Sequence, residues 1–290
     1  MTIILRSQRQ ISRSQDRSAP VVKHFIPTMG SLHAGHISLV KKAKEIDGKT
    51  YVSIFVNPIQ FDKKSDFLSY PKKVNEDIKI LKNLEVDFIF IPDNSFVNSN
   101  SSSLISLNNF NDVLCAKDRP NHFNGVATVI IKFLNLIKPN HLYLGEKDYQ
   151  QILVIKQIIK DFYFSTKISI LKTIRENDGL ALSSRNSLLT QKQRIVAVQL
   201  YKCLKLLKKN ANTGTFQISM LKELKRDLLK NGFDKINYLE IRKNDDLTLL
   251  DSNLSKARAF VSGTLGKVRL IDNLFLGYLR IKKNSYTKLN

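Results

Sequence analysis

The first 175 residues alternate apolar runs of strand length with amphipathic stretches of helix length. Residues 35–46 and 149–162, for example, repeat apolar side chains at helical spacing. Alternation of this kind is typical of parallel strands joined by helical crossovers. The pattern therefore predicts an α/β domain built on a parallel sheet. Its predicted strands are residues 21–26, 50–56, 86–91, 141–144 and 167–174.

A charged turn at residues 175–179 ends this pattern. The turn contains an Asp-Gly pair, which is a strong turn signal, so we place a boundary there and predict two domains, residues 1–175 and 176–290. The second domain is predicted to be smaller and of the α+β class. Its predicted elements are two basic helices, residues 191–210 and 218–231, and three strands, residues 236–242, 259–265 and 267–271.

Composition limits the class of protein. Apolar residues make up 42% of the 290 residues and charged residues 25%, which is the balance of a globular protein with a sizeable core. No apolar run approaches the roughly 18 residues of a membrane span, and the first residues lack the apolar core of a signal peptide. We therefore expect a cytoplasmic protein with no membrane partner. Cys115 and Cys203 have no His or Cys at metal-ligand spacing, so neither a zinc site nor a disulfide framework is predicted.

The formal net charge of +22 permits two interpretations, a nucleic-acid surface or a general enrichment in lysine. Lysine is spread over nearly every segment, which favours general enrichment. We therefore expect no specific nucleic-acid partner, although a positive field would still attract anionic substrates.

Residues 27–36, Pro-Thr-Met-Gly-Ser-Leu-His-Ala-Gly-His, lead from the first predicted strand into a helix. Gly30 and Gly35 allow the backbone to approach phosphates, and the start of a helix offers free N–H groups and a positive dipole end. His33 and His36 are three residues apart, so both imidazoles lie on one face of the first helical turn, where they can donate hydrogen bonds to a phosphate. The segment predicts the phosphate site of an ATP-using enzyme.

Two further stretches follow predicted strands. Asn57 and Gln60 lie in an otherwise apolar loop, where buried amides indicate recognition of a polar substrate. Lys147 leads into a helix for which Asp148 is a plausible N-cap, and it is well placed to meet a phosphate. Gln151 shares a helical face with Asp148.

A fourth stretch, residues 183–185, Ser-Ser-Arg, follows the domain boundary. Such a string is often only a cap or a turn, but two hydroxyls and a guanidinium suit phosphate recognition, and ligands commonly bind at domain junctions. Residues 119–125 are a weaker candidate for a ligand-facing loop. Glu76 and Asp77 are interpreted as ordinary acids at the start of a helix, with proximity to Mg²⁺ as the alternative.

In this order, the four stretches resemble those of the pantothenate synthetases, the pantoate:beta-alanine ligases of the His-x-x-His nucleotidyltransferase superfamily. The resemblance implies a Rossmann-like nucleotide-binding domain followed by a smaller lid domain. It also implies a two-step reaction in which pantoate and ATP form pantoyl adenylate and pyrophosphate, after which beta-alanine gives pantothenate and AMP. Mg²⁺ would accompany ATP, and the assembly would be a homodimer. The sequence departs from the family pattern at Ala34, Ala116, Asn121 and residues 140–141.

The resemblance also implies residue roles. Catalytic roles fall to His33, His36 and Lys147, with His36 in the proton-donor position. Asn57, Gln60 and Gln151 correspond to the pantoate positions, and Gln60 would also contact beta-alanine. No direct metal ligand is assigned. The implied ATP contacts are Met29, Gly30, Ser31, Leu32, His33, Ala34, Gly35, His36, Gly145, Glu146, Lys147, Asp148, Ile174, Leu182, Ser183, Ser184 and Arg185.

Two alternatives remain open at the level of sequence. One is another nucleotidyltransferase of the same fold that acts on a different acceptor, against which the paired amides of Gln60 and Gln151 argue. The other is a basic RNA-binding protein, which the net charge supports but which lacks a motif of stacking aromatic residues.

Overall fold

A computed structural model describes residues 1–14, 21–98, 105–110 and 112–281. The strands are β1 Ile3–Leu5, β2 Lys23–Thr28, β3 Lys49–Ile54, β4 Phe88–Phe90, β5 His141–Gly145, β6 Lys167–Leu171, β7 Lys235–Lys243, β8 Ser255–Leu265 and β9 Val268–Leu279. The helices are α1 Gln8–Ser14, α2 Ala34–Ala43, α3 Lys64–Ser69, α4 Val74–Asn83, α5 Ser95–Asn98, α6 Cys115–Asp118, α7 His122–Ile137, α8 Tyr149–Asp161, α9 Gln191–Ala197, α10 Gln199–Asn212 and α11 Met220–Lys230.

The described residues divide into two compact units. The first contains residues 1–112 and 119–173 within the described ranges, and the second contains residues 113–118 and 174–281. The division falls two residues before the predicted boundary. The short helix α6 groups with the second unit, although it precedes that boundary in the chain.

The first unit is built on a six-stranded parallel sheet with the order β1-β4-β3-β2-β5-β6. Strand β2 is buried at Phe25 and Ile26, and helix α2 packs on the sheet through Leu39, Val40 and Ala43. The predicted α/β class is confirmed. The short strand β1 and the helix α1 were not predicted, because three apolar residues and a helix with one buried side chain, Ile11, carry too little periodic signal.

The second unit contains a three-stranded antiparallel sheet, β7-β8-β9, which packs with α10 and α11 around a core of aliphatic side chains. The predicted α+β class is therefore confirmed as well. Several bounds differ from the sequence prediction, among them the start of β8, which lies four residues before the predicted residue 259. The predicted helix 191–210 is two helices that meet at Val198, and the last predicted strand continues to Leu279 instead of ending at residue 271.

Candidate active site

The order of the strands across the first sheet changes direction between the neighbouring parallel strands β2 and β5. Strands β3 and β4 lie on one side of β2, whereas β5 and β6 lie on the other. In open parallel sheets, ligands bind in the crevice beyond the carboxyl ends of strands at such a switch point. Residues 29–33 follow β2, residues 55–60 follow β3 and residues 146–148 follow β5. Three of the four stretches singled out in the sequence therefore meet at this edge.

The turn after β2 is stabilised by the side chains of Thr28, within the motif, and of Asp77, outside it. Gly30 and Ser31 both have positive φ, at +77° and +51°. The N–H of Gly30 donates to Oγ1 of Thr28 at 3.2 Å, while the N–H groups of Ser31 and Leu32 each donate to the carboxylate of Asp77 at 2.8 Å. Protein acceptors therefore engage these three N–H groups, which precede the helix start where free N–H groups are expected.

The two histidines of the motif form a capping box at the start of α2. Nδ1 of His33 accepts from the N–H of Gly35 at 3.1 Å, and Nδ1 of His36 accepts from the N–H of His33 at 3.4 Å. The ring centroids are 4.1 Å apart, so the prediction that both rings share one face is confirmed. A side chain at Gly35 would lie 2.8 Å from the ring of His33, so glycine is needed there to admit the imidazole.

Electrostatics keeps both rings uncharged near neutral pH. Burial, reinforced by the charge of Lys147, lowers the pKa of His33 from 6.5 to about 4. Burial, followed by the effects of His33 and Lys147, lowers the pKa of His36 to about 3. Because each Nδ1 accepts a hydrogen bond, the hydrogen of each neutral ring is on Nε2. The pair therefore supplies two Nε2–H donors beside a lysine.

Gln60 and Asn57 form a buried amide pair after β3. Nδ2 of Asn57 donates to Oε1 of Gln60 at 3.1 Å and to the carbonyl of Gly125 at 3.0 Å. Nε2 of Gln60 contacts the sulfur of Met29 at 2.7 Å, and a thioether is a weak acceptor. Among the described residues, none donates to Oδ1 of the buried Asn57. The pair thus offers a donor with a weak partner and an acceptor with none in the described part of the chain.

The backbone of Gln60 is held by a loop that the sequence marked only as a weak candidate. NH2 of Arg119 and Nδ1 of His122 both donate to the carbonyl of Gln60, at 3.1 and 2.8 Å. Asn121 has φ −96° and ψ −6°, which any residue adopts, so its departure from the family pattern does not restrict this loop.

The stretch after β5 places Lys147 close enough to the histidine pair to lower both pKa values. A 3₁₀ turn, Glu146–Asp148, runs directly into α8, and Asp148 precedes the helix with φ −94° and ψ 50°. Its side chain makes no capping hydrogen bond, so the predicted N-cap is wrong: this backbone conformation is not the extended one that a capping side chain requires. Gln151 is half-buried on α8.

The remaining predicted ATP residues belong to the second unit. The N–H of Leu182 donates to the carbonyl of Ile174 at 3.0 Å. Oγ of Ser183 accepts from the N–H of Arg185 at 3.3 Å and caps the 3₁₀ turn Ser184–Leu188. The structure thus brings these residues together within one local segment.

A cavity of about 220 Å³ opens beside the turn after β2. Its walls include Met29, Gly30, Val56 and the carboxylate-bearing Asp77, with Lys72 among the polar residues. The cavity is concave and mostly apolar, as ligand sites usually are, and it lies at the same edge of the sheet as the motif residues.

Comparison with known proteins settles the family. A family model described as pantoate-beta-alanine ligase matches residues 4–275. The chain belongs to the pantoate-beta-alanine ligase family. A pantothenate synthetase of Caldicellulosiruptor bescii is 38% identical over 252 residues, which cover 86% of this chain and 89% of the relative.

Solved structures of the family agree with the fold. A crystal structure of pantothenate synthetase from Thermus thermophilus gives a TM-score of 0.87 at 32% identity and covers 96% of this chain and 100% of that one. The pantoate-beta-alanine ligase of Francisella tularensis, crystallised with beta-gamma ATP and beta-alanine, gives 0.81 at 38% identity, covering 95% and 98%. The family resemblance inferred from the motifs is confirmed, and so is the prediction of a ligase.

Proposed function

We propose that this chain condenses pantoate with beta-alanine to form pantothenate, using ATP and passing through pantoyl adenylate. The observation that carries the proposal is the neutral His33–His36 pair beside Lys147, at the edge of the sheet that also holds the Asn57–Gln60 amide pair. The motif sequence and the family relatives named above support it. The Francisella relative, crystallised with beta-gamma ATP and beta-alanine, supports the same two substrates here.

In the first step, a carboxylate oxygen of pantoate attacks the α-phosphorus of ATP, and the bond to the bridging oxygen of pyrophosphate breaks. Negative charge builds on the phosphate oxygens, and preformed donors stabilise it without reorganising. The Nε2–H groups of His33 and His36 and the ammonium of Lys147 supply such donors. With its lowered pKa, His36 acts as a hydrogen-bond donor, while transfer of its proton requires that a bound phosphate first raise that pKa.

In the second step, the uncharged amine of beta-alanine attacks the acyl carbon, the bond from that carbon to the phosphate oxygen breaks, AMP leaves as the anion and the amine proton is released to solvent. No protein nucleophile is needed, so positioning dominates. Nε2 of Gln60 exchanges its weak sulfur partner for an oxygen of pantoate, and Oδ1 of Asn57 accepts from a ligand donor. Ile174, Leu182 and residues 183–185 extend the ATP site as the family resemblance implies.

Mg²⁺ accompanies ATP in this proposal. Among the described residues, no group of three or more His, Cys, Asp or Glu side chains is placed to hold a metal ion. In ATP sites, Mg²⁺ is often held mainly by phosphate oxygens and water. The bound cation would neutralise phosphate charge, while the chain supplies the donors named above.

A homodimer and a cytoplasmic location complete the proposal and rest on the resemblance and the composition. No helix in the described part of the chain combines the length and apolar character that a membrane crossing needs. Sedimentation velocity of the purified protein tests the dimer, and a concentration-independent monomer would contradict it.

The experiment for the reaction is pyrophosphate release from ATP with Mg²⁺ and pantoate, with and without beta-alanine, followed by mass detection of pantothenate and AMP. His36→Ala is expected to lower adenylate formation about 10²–10³-fold, the usual effect of removing one charge-stabilising donor. His141→Ala is the matched control, because it removes an imidazole at the opposite end of β5. Equal activity in the two variants would remove the role of His36, and pyrophosphate release with a different carboxylate would replace the substrate.

A further inference from the structure

Asp77 is a buried carboxylate that binds the turn between β2 and the histidine pair. We propose that it is a positioning residue for ATP: its carboxylate holds the Gly30–Leu32 turn in the shape that presents His33 and His36 to the phosphates. The inference rests on the proposed function, and it assigns a role to a side chain 46 residues away from this turn.

The geometry is specific. Oδ2 of Asp77 accepts from the N–H of Ser31 and Oδ1 from the N–H of Leu32, both at 2.8 Å. Consecutive N–H groups in a turn form a concave anion site, and here the anion is a side chain of the chain itself. A Cβ on Gly30 would lie 2.9 Å from Oδ2, so the turn and the carboxylate are in close contact.

The burial of Asp77 argues against an incidental contact. The residue is 1% exposed, and in the described part of the chain no Lys, Arg or His lies within ion-pair distance of its carboxylate. A buried charge without an ion pair is costly unless hydrogen bonds compensate it. The neighbouring Glu76, in contrast, is exposed and pairs with Lys73 at 3.0 Å. Both residues lie in the first turn of α4, as the sequence predicts, but only Asp77 is buried and binds the backbone of a distant segment.

The turn needs such support. Ser31 lies at φ +51°, a region that non-glycine residues seldom adopt and that costs of order 1 kcal/mol. Two residues after Ser31, His33 begins the capping box that orients both imidazoles. A change in the turn therefore changes the path by which the chain enters α2.

The direction in which ATP binding changes when the charge of Asp77 is removed distinguishes a positioning role from simple charge repulsion. A negative charge beside a phosphate site weakens ATP binding by repulsion, so removing it would tighten binding if the field alone mattered. If Asp77 positions the turn, the isosteric Asp77→Asn has the opposite effect. The asparagine keeps one acceptor but turns an NH₂ group toward the second backbone N–H, which breaks one of the two bonds.

The test compares Asp77→Asn with Glu45→Gln, which removes the same charge from an exposed residue outside the stretches assigned to the site. Binding of a non-hydrolysable ATP analogue with Mg²⁺ is measured by calorimetry, and KM for ATP and for beta-alanine by steady-state kinetics. We expect Asp77→Asn to weaken analogue binding and raise KM for ATP about 10–100-fold, the range for one lost bond to a charged group, with KM for beta-alanine changed less than about twofold. Glu45→Gln is expected to stay within about twofold of the wild type on every measure. Asp77→Ala, which leaves no buried amide, replaces Asp77→Asn if the latter does not fold.

Three outcomes would overturn the proposal. Tighter or unchanged analogue binding in folded Asp77→Asn assigns Asp77 to stability or to the field alone. Equal increases in KM for ATP and beta-alanine indicate a general structural defect. Full recovery of analogue binding by Asp77→Asn at high Mg²⁺ indicates that Asp77 acts as a metal ligand. If the wild type binds the analogue but does not turn over pantoate, the proposed function fails while the binding comparison still decides the role of Asp77.

Discussion

Gly125 on α7 touches the backbone that carries Gln60, and Gly125→Ala tests how accurately that amide must be placed. A Cβ at Gly125 would lie 2.4 Å from the carbonyl oxygen of Ile59 and 2.7 Å from Cα of Gln60. Ordinary contact begins at roughly 3.4 Å, so the 3₁₀ turn Pro58–Gln60 has to move by about 1 Å, the difference between 3.4 and 2.4 Å.

A displacement of about 1 Å at a substrate-positioning group costs on the order of 10²-fold in rate. We therefore expect kcat/KM for pantoate to fall about 100-fold in Gly125→Ala. The same overlap costs about 1–3 kcal/mol of folding free energy, and Tm falls by about 2–4 °C for each kcal/mol. Steady-state kinetics with varied pantoate and differential scanning calorimetry measure the two effects.

Gly263→Ala is the matched control for overpacking. A Cβ at Gly263 would lie 2.6 Å from the ring of Phe233, in the core of the second unit. This variant is expected to lose similar stability while its kcat/KM for pantoate remains near that of the wild type. Equal kcat/KM values in the two variants, at equal folded fractions, would refute the idea that the contact at Gly125 fixes the position of Gln60.

Three further predictions follow from particular contacts. The pKa values of His33 and His36, about 4 and about 3 against an ordinary 6.5, mean that the unfolded chain takes up protons first as the pH falls. Their contribution to the free energy of unfolding is therefore complete above pH 6.5 and is lost between pH 6.5 and about 3. Urea denaturation measures this free energy at about pH 7 and about pH 5, and it should decrease less between the two pH values in the double variant His33→Asn, His36→Asn than in the wild type. Equal decreases would contradict the assignment. Asp272→Asn, which breaks a bidentate ion pair with Arg175 at 2.6 and 2.9 Å, should cost about 3–5 kcal/mol in the same assay, and a loss below about 1 kcal/mol would mean that the pair adds little. Gln60→Ala should raise KM for pantoate and beta-alanine about tenfold by removing one hydrogen-bonding amide, and unchanged values for both would exclude it from the substrate site.

The motif positions could be located from sequence because their signals are local. A strand, two glycines and a helix start within about ten residues predict one turn geometry, and the histidine spacing alone places both rings on one face. The short strand β1 was not predicted because its signal is not local. Its three residues form a strand only because they pair with β4, which lies more than eighty residues further along the chain.

Contacts between distant segments determine how the site is held, and no local pattern encodes them. In the sequence, Asp77 is interpreted as an ordinary acid in a first helical turn, whereas in the structure α4 places its carboxylate against the backbone of Ser31. In the sequence, Arg119 is interpreted as a cation in a loop, whereas in the structure it donates a hydrogen bond to the carbonyl of Gln60, 59 residues away. Spacing and residue type therefore identify the groups that we propose act on ATP and pantoate. Packing of the sheet and its helices selects which backbone N–H groups stay available, which tautomer the histidines adopt and which carboxylate is buried.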